Sequence, residues 1–366
     1  MNYYEKELTI IKKSNRFRKR KIYDKNLIDL ASNDYLGISS NKKQLKNAIS
    51  LLQKEDHYSP KASLIVNGYS NIHKKFEKKL SKLNNFEAAI VVGSGFLANI
   101  SMIESMVRKR DVIFIDEEYH ASGILATKLI QGDVITFKHN DFKDLESKIK
   151  PITHYDRLII AIEGVYSMQG DIAPKEFNTI ACKYDAILIV DEAHSSGVIG
   201  ENLLGWYDYH NIKPKPNHIK MGTLGKAYGS YGAYILASKH IISYLENRAK
   251  PIIYSTAPSL FDIAIAYENL KYIIKNKKDI KKNIKKNQKI IKDNLNISTD
   301  SLIVPVVIND NKKVIELQNI LIKNGYIVGA IRQPTVRQAI LRIIIKLDIE
   351  TKDIINITKI IKDSDV

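Results

Sequence analysis

The chain has 366 residues, 44% of them hydrophobic, and its 57 lysines and arginines against 40 aspartates and glutamates give a formal net charge of +17. This length predicts one large domain and a smaller one, because a single hydrophobic core rarely extends beyond about 250–300 residues. No apolar run approaches the roughly 18 residues of a membrane span, and the N-terminal residues MNYYEKELTIIKK lack the apolar segment of a signal peptide. We therefore expect a soluble, cytoplasmic protein without a membrane segment.

The chain contains one cysteine, Cys182. A single thiol excludes an internal disulfide, and with no second thiol nearby it excludes a cysteine-based zinc site. We expect Cys182 to be a buried small residue on a helix, and we predict no metal site.

The excess of positive charge makes a nucleic-acid-binding protein one class to consider. The charge is concentrated in RFRKRK at 16–21 and in KNKKDIKKNIKKNQK at 275–289. In the second run Ile280 and Ile284 recur at helical spacing, which favours lysines on the solvated face of an amphipathic helix. Without a helix-turn-helix, zinc-finger or RNA-binding signature, nucleic acid remains a remote alternative. A basic surface also suits an acidic partner or a phosphate-bearing substrate.

The first part of the chain, residues 1–45, is predicted to be an N-terminal segment. A basic stretch to about residue 25 precedes a short strand, NLIDL, and a polar turn that contains Asn33. Polar residues in turns often bind ligands, so Asn33 is a candidate binding residue. Capping of the following helix, NKKQLKNAISLLQK, is an equally good interpretation of Asn33.

Residues 46–245 are predicted to form a large α/β domain. An amphipathic helix, HKKFEKKLSKLNN, is followed by apolar strands that alternate with helices: AAIVV, VIFID, VITFK, LIIAIEG, AILIV and AYILA. Continuous apolar strands between helices indicate a mostly parallel sheet that is covered on both faces. Ligands in such sheets bind beyond the carboxyl ends of the strands.

Residues 246–366 are predicted to form a smaller α+β domain. A long helical region at about 259–294 precedes short strands at 302–308, 326–331 and 341–346. Helical patterns at 311–324 and 350–362 lie between and after these strands.

Two strand ends of the large domain carry candidate binding groups. The strand AAIVV ends in a glycine turn with Ser94, Gly95 and Phe96 at the start of a helix. A helix N-terminus with free N–H groups is an anion site, although many α/β crossovers also use glycine here. The strand VIFID ends in DEEYHASG, which contains His120. By itself His120 is more often a packed or solvated histidine.

Two further strand ends carry polar groups. Ser167 follows LIIAIEG, and the strand AILIV runs directly into Asp191 and His194. A carboxylate at the end of an apolar strand requires a positive or hydrogen-bonding partner. Asp191 is therefore a candidate partner of a protonated heteroaromatic nitrogen, or alternatively a cap of the next helix.

Lys226 lies in TLGKAYG, between small residues that permit a close approach of the backbone. Most lysines are solvated surface charges, but a lysine held in a site can bind an aldehyde covalently. Pyridoxal phosphate requires such a lysine, a carboxylate for its ring nitrogen, a stacking group and an anion site. The groups at the strand ends, together with Lys226, supply all four.

Eight motifs in order resemble the α-oxoamine synthases, a family of fold-type I enzymes that depend on pyridoxal phosphate. They are SNDYLG, GSGF, YHAS, EGVYSMQGD, VDEAH, TLGKAYGSYGAY, IYSTAP and AIRQPTV, and they extend from about residue 25 to 346. The resemblance implies a large domain with a mostly parallel seven-stranded sheet and a smaller C-terminal α+β domain. It also implies a transferase that condenses an amino acid with an acyl thioester.

The resemblance assigns cofactor contacts residue by residue. Lys226 binds the cofactor aldehyde and acts as the base, and Asp191 pairs with the pyridine nitrogen. The other implied contacts are His120 stacked on the ring, Ser167 and His194 at its phenolic oxygen, and Thr223 with Ser94, Gly95 and Phe96 at the phosphate. Thr256 of IYST is implied to reach the phosphate of a neighbouring subunit, so a homodimer is expected.

Substrate contacts are implied in the same way. Asn33 and Arg342 meet the carboxylate of the amino acid. Arg332 of AIRQPTV is typical of members that condense L-alanine with a pimeloyl thioester in biotin biosynthesis, carried by coenzyme A or by an acidic acyl carrier protein. Members that make 2-amino-3-ketobutyrate, 5-aminolevulinate or the serine-derived sphingoid base are the alternatives. Leu64 departs from the family pattern, which has arginine there, and Lys61 is a candidate substitute for that charge.

Overall fold

The computed structural model describes residues 3–14 and 16–364. They divide into two compact units. The larger unit comprises Leu36–Ser167 and Asp171–Asn283, and the smaller unit comprises the chain up to Tyr35, Met168–Gly170 and the chain from Ile284 onward. The domain limits drawn from the sequence, 1–45, 46–245 and 246–366, stay predictions.

The helices and strands follow in chain order. The α-helices are α1 (Glu5–Lys13), α2 (Lys42–Leu52), α3 (Asn71–Asn84), α4 (Gly95–Met106), α5 (Ala121–Ala126), α6 (Phe142–Ile149), α7 (Glu176–Lys183), α8 (Trp206–Tyr209), α9 (Lys239–Arg248), α10 (Lys250–Ile253), α11 (Leu260–Leu295), α12 (Asn311–Lys323) and α13 (Thr351–Asp363). The strands are β1 (Ile28–Asp29), β2 (Ala88–Val92), β3 (Val112–Asp116), β4 (Asp133–Phe137), β5 (Leu158–Glu163), β6 (Ile187–Asp191), β7 (His218–Thr223), β8 (Ala233–Ala237), β9 (Ile303–Val307), β10 (Tyr326–Ile327), β11 (Gly329–Ile331) and β12 (Ile340–Ile344).

The larger unit is built on a seven-stranded sheet with the strand order β2-β8-β7-β6-β5-β3-β4. The strands β3 to β7 pair in parallel, and β8 is antiparallel to both of its neighbours. Every residue of β3 and β5 is buried, as expected for apolar strands that are covered on both faces. The predicted mostly parallel seven-stranded sheet is confirmed.

The strand β7 is absent from the sequence-based assignment, because Lys220 interrupts its apolar pattern. In the structure Lys220 is fully buried, and its Nζ lies 3.4 Å from Glu192 Oε1 and donates to Asn84 Oδ1 at 2.9 Å. Burial of a charged group is costly unless it is paired and hydrogen-bonded. The partner Glu192, far away in sequence, makes a lysine acceptable inside this strand.

The smaller unit contains two sheets. The strands β11, β12 and β9 form an antiparallel sheet, and β1 pairs in parallel with β10. The segment 326–331, predicted as one strand, is divided into β10 and β11, because its two halves pair with different strands. The pairing of β1 with β10 also places the N-terminal segment and the C-terminal region in one unit.

Two predictions from the sequence, on the lysine run at 275–289 and on Cys182, concern residues that lie on helices. In α11 the lysine run lies on an amphipathic helix, with Ile280 and Ile284 buried, as predicted. Cys182 lies on α7 as predicted, but the expectation that it is buried is wrong. The buried face of α7 consists of Phe177, Ile180 and Ala181, so Cys182 is on the solvent side. Within residues 3–14 and 16–364 no helix combines the length and apolarity that a membrane crossing requires.

A charged cluster surrounds His139, which follows β4. Its Nδ1 lies 3.1 Å from Asp116 Oδ1, its Nε2 lies 3.0 Å from Asp171 Oδ2, and Glu118 Oε2 is 3.8 Å from the same Nε2. Tyr166 also donates to Asp116 Oδ2, at 2.8 Å. Burial lowers the pKa of His139, but the hydrogen bonds to Asp116 and Asp171 outweigh it and raise the pKa to about 10.

This cluster predicts a pH dependence of stability. The folded pKa of His139 lies above its ordinary value of 6.5, so the stabilisation is complete below that pH and is lost as the pH rises towards about 10. We expect the urea midpoint to fall between about pH 7 and pH 9.5 more steeply in the wild type than in His139→Gln. The variant is the control for other groups that titrate in this range. Parallel pH profiles for the two proteins would contradict the assignment.

Candidate active site

A cavity of about 210 Å³ lies at the carboxyl ends of the parallel strands in the larger unit. Seven of the predicted cofactor residues line it: Gly95, Phe96, His120, Asp191, His194, Thr223 and Lys226. The other lining residues are Asn99, Glu163, Ala193 and Met221. The topology therefore brings together residues from five separate stretches of the chain.

Asp191 is the last residue of β6 and is only 3% exposed. Its Oδ1 accepts from the backbone N–H of Ala193 at 2.9 Å, and its Oδ2 accepts from Asn99 Nδ2 at 2.8 Å. Donors of this kind stabilise a buried carboxylate in its charged form. The alternative that Asp191 caps the next helix is not supported, because that helix, α8, begins only at Trp206.

Lys226 lies in the loop after β7, and its Nζ is 2.7 Å from His194 Nε2. The backbone enters this loop through Gly222, where an added Cβ would lie 2.3 Å from the ring of Tyr234. Glycine is therefore required at this position by close packing of β7 against Tyr234 on β8. The arrangement holds an amine in contact with an imidazole at the cavity wall.

The N-terminus of α4 supplies the predicted anion site. Ser94 is its N-cap, and its side chain accepts from the N–H of Leu97 at 3.2 Å. The N–H groups of the first turn, at Gly95 and Phe96, have no partner within the helix and point out of its positive end. A Cβ built at Gly95 would lie 3.7 Å from Thr223 Cβ, so Thr223 is adjacent to this helix end. The backbone donors of this helix end therefore lie beside Thr223, whose hydroxyl donates to the carbonyl of Gly232 at 3.0 Å.

His120 precedes α5 and lines the cavity. Its Nδ1 lies 2.7 Å from Ser122 Oγ and accepts from the backbone N–H of Ser122 at 3.2 Å. Burial lowers the pKa of His120, Asp191 raises it, and Lys226 lowers it, with a lowered value as the result. These surroundings therefore favour the neutral form of the imidazole at the cavity wall.

Two cavity residues with polar side chains, Asn99 and Glu163, were not predicted from the sequence. Asn99 lies on α4 and is 1% exposed, and Glu163 ends β5 directly beside Asp191 in the paired strand β6. In the described part of the chain no group hydrogen-bonds to Glu163 Oε1. Burial, and then the neighbouring Asp191, raise the pKa of Glu163 well above its ordinary value. The strand-end rule applied to LIIAIEG points to Glu163, whereas no local signal points to Asn99.

Two substrate residues predicted from the resemblance contact each other in the smaller unit. Arg342 on β12 donates from Nη2 to Asn33 Oδ1 at 3.1 Å. The alternative that Asn33 caps the next helix is wrong, because Asn41 is the N-cap of α2. Arg332 follows β11, is partly exposed, and its carbonyl accepts from the N–H of Thr335 at 3.0 Å.

The remaining predicted residues lie outside the cavity lining. Ser167 is buried, and Thr256 is exposed after α10. The role of Thr256 towards a second subunit stays a prediction. Leu64 begins a π-helical turn, Leu64–Gly68, and packs against the hydrophobic core, whereas Lys61 is exposed. Leu64 therefore has a packing role at the position where arginine was expected.

The cavity fits pyridoxal phosphate. It presents an amine for the aldehyde, a buried carboxylate for the ring nitrogen, an imidazole face and an anion site at a helix N-terminus. These are the four contacts that this cofactor requires. Among residues 3–14 and 16–364 there is no cluster of acidic, histidine or cysteine side chains that suits a metal ion.

Comparison with known proteins identifies the family. The model of the family "Aminotransferase class I and II" matches residues 25–355. An 8-amino-7-oxononanoate synthase of Helicobacter pylori strain J99 is 44% identical over 351 residues, which cover 96% of this chain and 94% of that protein.

Comparison with solved structures is consistent with this result. The 8-amino-7-oxononanoate synthase of Francisella tularensis is 30% identical with a TM-score of 0.77, covering 92% of this chain and 97% of that chain. A serine palmitoyltransferase of S. paucimobilis with bound PLP has a TM-score of 0.89 over 98% of this chain and 96% of that chain. At 22% identity it shows the fold alone.

These findings confirm the predicted fold-type I architecture, the prediction of an acyl-transferring enzyme, and pyridoxal phosphate as its cofactor. They give no support to the remote alternative of a nucleic-acid-binding protein. The chain belongs to the aminotransferase class I and II family and, within it, to the 8-amino-7-oxononanoate synthases.

Proposed function

We propose that the protein condenses L-alanine with a pimeloyl thioester to form 8-amino-7-oxononanoate, a step of biotin biosynthesis. In this reaction a C–C bond forms between the alanine Cα and the acyl carbon, the C–S bond breaks, and the thiol and CO₂ leave. The observation that carries the proposal is the pairing of Lys226 with His194 in a cavity that also contains Asp191. The 44% identity to the Helicobacter pylori enzyme supports the choice of reaction.

The residues of the cavity perform separate tasks in this proposal. Bound pyridoxal phosphate supplies an electron sink for the negative charge that develops at Cα. Lys226 anchors the cofactor and then takes the Cα proton at Nζ, and the same group returns a proton to carbon after CO₂ has left. His194 Nε2 accepts a hydrogen bond from Nζ, which orients the amine. Asp191 keeps the ring nitrogen protonated.

Substrate recognition is assigned to residues of the smaller unit. We assign the carboxylate of alanine to Arg342 and Asn33, since a guanidinium fork matches a carboxylate in two places. Their mutual hydrogen bond of 3.1 Å supports a shared task. Arg332 is assigned to the pimeloyl substrate, whose far end carries a second carboxylate.

The assembly and the acyl carrier are further parts of the proposal. A homodimer in the cytoplasm is proposed, in which Thr256 reaches the cofactor phosphate of the second subunit. Thr256 is exposed, and Tyr254, two residues before it, is 80% exposed. The carrier is proposed to be an acidic acyl carrier protein, because residues 16–21, RFRKRK, are all exposed and all except Phe17 are basic.

Substrate assays test the proposed function. With a pimeloyl thioester, we expect kcat/KM for L-alanine to exceed that for glycine or L-serine by about tenfold or more, the usual discrimination by one small group. Higher activity with glycine or serine would favour another α-oxoamine synthase. Comparison of kcat/KM for pimeloyl-coenzyme A and pimeloyl-acyl carrier protein identifies the carrier. An equal or lower value with the carrier protein would contradict that part of the proposal.

A further inference from the structure

A continuous set of hydrogen bonds joins His120 to Asp191 through two residues that the proposed mechanism does not use. Asn99 Nδ2 lies 2.8 Å from Asp191 Oδ2 and 2.9 Å from Ser122 Oγ. Ser122 Oγ in turn lies 2.7 Å from His120 Nδ1. Tyr119 closes the other end, because its hydroxyl donates to Asn99 Oδ1 at 2.9 Å. We call these contacts the Asn99 relay.

The chemistry of the partners determines the direction of each bond. An ionised carboxylate only accepts, so the amide nitrogen of Asn99 must face Asp191, and the amide oxygen must face Tyr119. The second amide hydrogen of Asn99 is then donated to Ser122 Oγ. The orientation of Asn99 therefore follows from the charge on Asp191.

The same reasoning determines the position of the proton on His120. The backbone N–H of Ser122 points at Nδ1, at 3.2 Å, so Nδ1 is an acceptor and carries no hydrogen. Since Ser122 Oγ already accepts from Asn99, its own hydrogen is directed to Nδ1. The proton of the neutral imidazole is therefore on Nε2. No hydrogen bond from His120 Nε2 to another residue is found in the described chain.

We propose that Asn99 and Ser122 are positioning residues that hold His120 as the neutral Nε2–H tautomer, oriented by the charge of Asp191. Held in this way, His120 would form one wall of the cofactor site without adding a positive charge, and its Nε2–H would be available to a bound ligand. Among the residues that the structure describes, Asp191 is the one charged side chain to which Asn99 hydrogen-bonds. This inference rests on the proposed function only for the identity of the bound ligand.

The burial of the Asn99 relay supports a fixed orientation of its hydrogen bonds. Asn99, Ser122 and Tyr119 are 1%, 0% and 3% exposed, so water does not compete for these bonds. The groups that face His120 are Asp191 and Lys226, together with Glu163, which accepts from the backbone N–H of His120. Asp191 is the group among them that favours a charged imidazole, so donors to Nδ1 are needed to keep the ring neutral.

The test reads the tautomer directly. In full-length protein labelled with ¹⁵N-histidine, long-range ¹H–¹⁵N correlation spectra distinguish Nδ1–H from Nε2–H, and the signal missing in His120→Gln assigns the residue. We expect Nε2–H, with a pKa below the ordinary value of 6.5, in protein without cofactor and with PLP. A proton on Nδ1, or a charged imidazole at neutral pH, would overturn the proposal.

Two variants test the positioning residues. Ser122→Ala removes the hydroxyl donor to Nδ1 and is expected to raise the pKa of His120 by about 0.5–1 unit, the equivalent of one neutral hydrogen bond. Asn99→Leu is expected to weaken PLP binding about 10- to 100-fold, because Asp191 loses a donor to a charged group. Ser122→Thr keeps the hydroxyl, so His120 should titrate in this variant as it does in the wild type.

The controls separate this inference from the proposed function. Ser101→Ala removes a fully buried hydroxyl on α4 that donates to the carbonyl of Leu97, and it should leave the titration of His120 unchanged. An unchanged titration in Ser122→Ala would overturn the relay even if turnover of alanine and pimeloyl thioester persists. Conversely, the Nε2–H tautomer without such turnover would refute the proposed reaction and leave the relay intact. Circular dichroism of each variant confirms that it is folded.

Discussion

Replacement of Lys226 by alanine is expected to lower turnover of alanine with a pimeloyl thioester by about a thousandfold or more. The variant loses both the covalent anchor of the cofactor and the base that takes the Cα proton, and a positioned base alone contributes about 10²–10⁴-fold. The visible absorbance of the lysine-bound cofactor should disappear as well. Stopped assays with the purified variant, together with absorbance spectra, measure both effects.

The control for this experiment is Lys239→Ala, which removes an exposed lysine at the start of α9. It should keep the absorbance and the turnover of the wild type. Addition of a small primary amine, such as methylamine, should restore part of the activity of Lys226→Ala, because it replaces the missing base. Turnover within tenfold of the wild type in Lys226→Ala would contradict the role of this residue.

Replacement of Lys220 by methionine is expected to lower the free energy of unfolding by about 3–5 kcal/mol, the usual cost of leaving one buried charge without its partner. Glu192 would remain in the core, where its Oε2 accepts from Ser195 Oγ at 2.7 Å and from the backbone N–H of Trp206 at 2.6 Å. Trp206 is the single tryptophan of the chain and is fully buried. Its fluorescence during urea unfolding therefore reports on this region.

A second substitution distinguishes a lost ion pair from simple mispacking. In Lys220→Met combined with Glu192→Gln no uncompensated charge remains, so a large part of the lost stability should return. If the double variant is as unstable as the single variant, the loss comes from packing and the ion pair is not its cause. Because Glu192 follows Asp191 directly, the single variant should also weaken the retention of PLP.

Candidate site residues that break a local sequence pattern could be predicted without the structure. Lys226 is flanked by small residues, and Asp191 ends a run of apolar residues, so both break a local pattern in a way that requires an explanation. The alternation of apolar strands with helices likewise predicts a parallel sheet, and the carboxyl ends of parallel strands necessarily meet at one edge. This is why most of the predicted cofactor residues line one cavity.

Residues whose role depends on partners far away in the sequence were not predicted. Asn99 lies within an apolar helix, and its neighbours in the sequence do not suggest a partner for its amide. Its hydrogen bond to Asp191 joins positions 92 residues apart. Lys220 obscured strand β7 because its partners, Glu192 and Asn84, are adjacent only in the folded chain. The exposure of Cys182 depends on which face of α7 the sheet covers.

From the sequence alone, the α/β architecture, Lys226 and the strand-end groups could be predicted, since these predictions rest on short-range patterns of burial and charge. The hydrogen-bond partners of Asp191, the raised pKa of Glu163 and the donors around His120 Nδ1 became evident only in the folded structure. Protonation and side-chain orientation depend on desolvation and on donors from several strands and helices, and both exist only once the chain has packed.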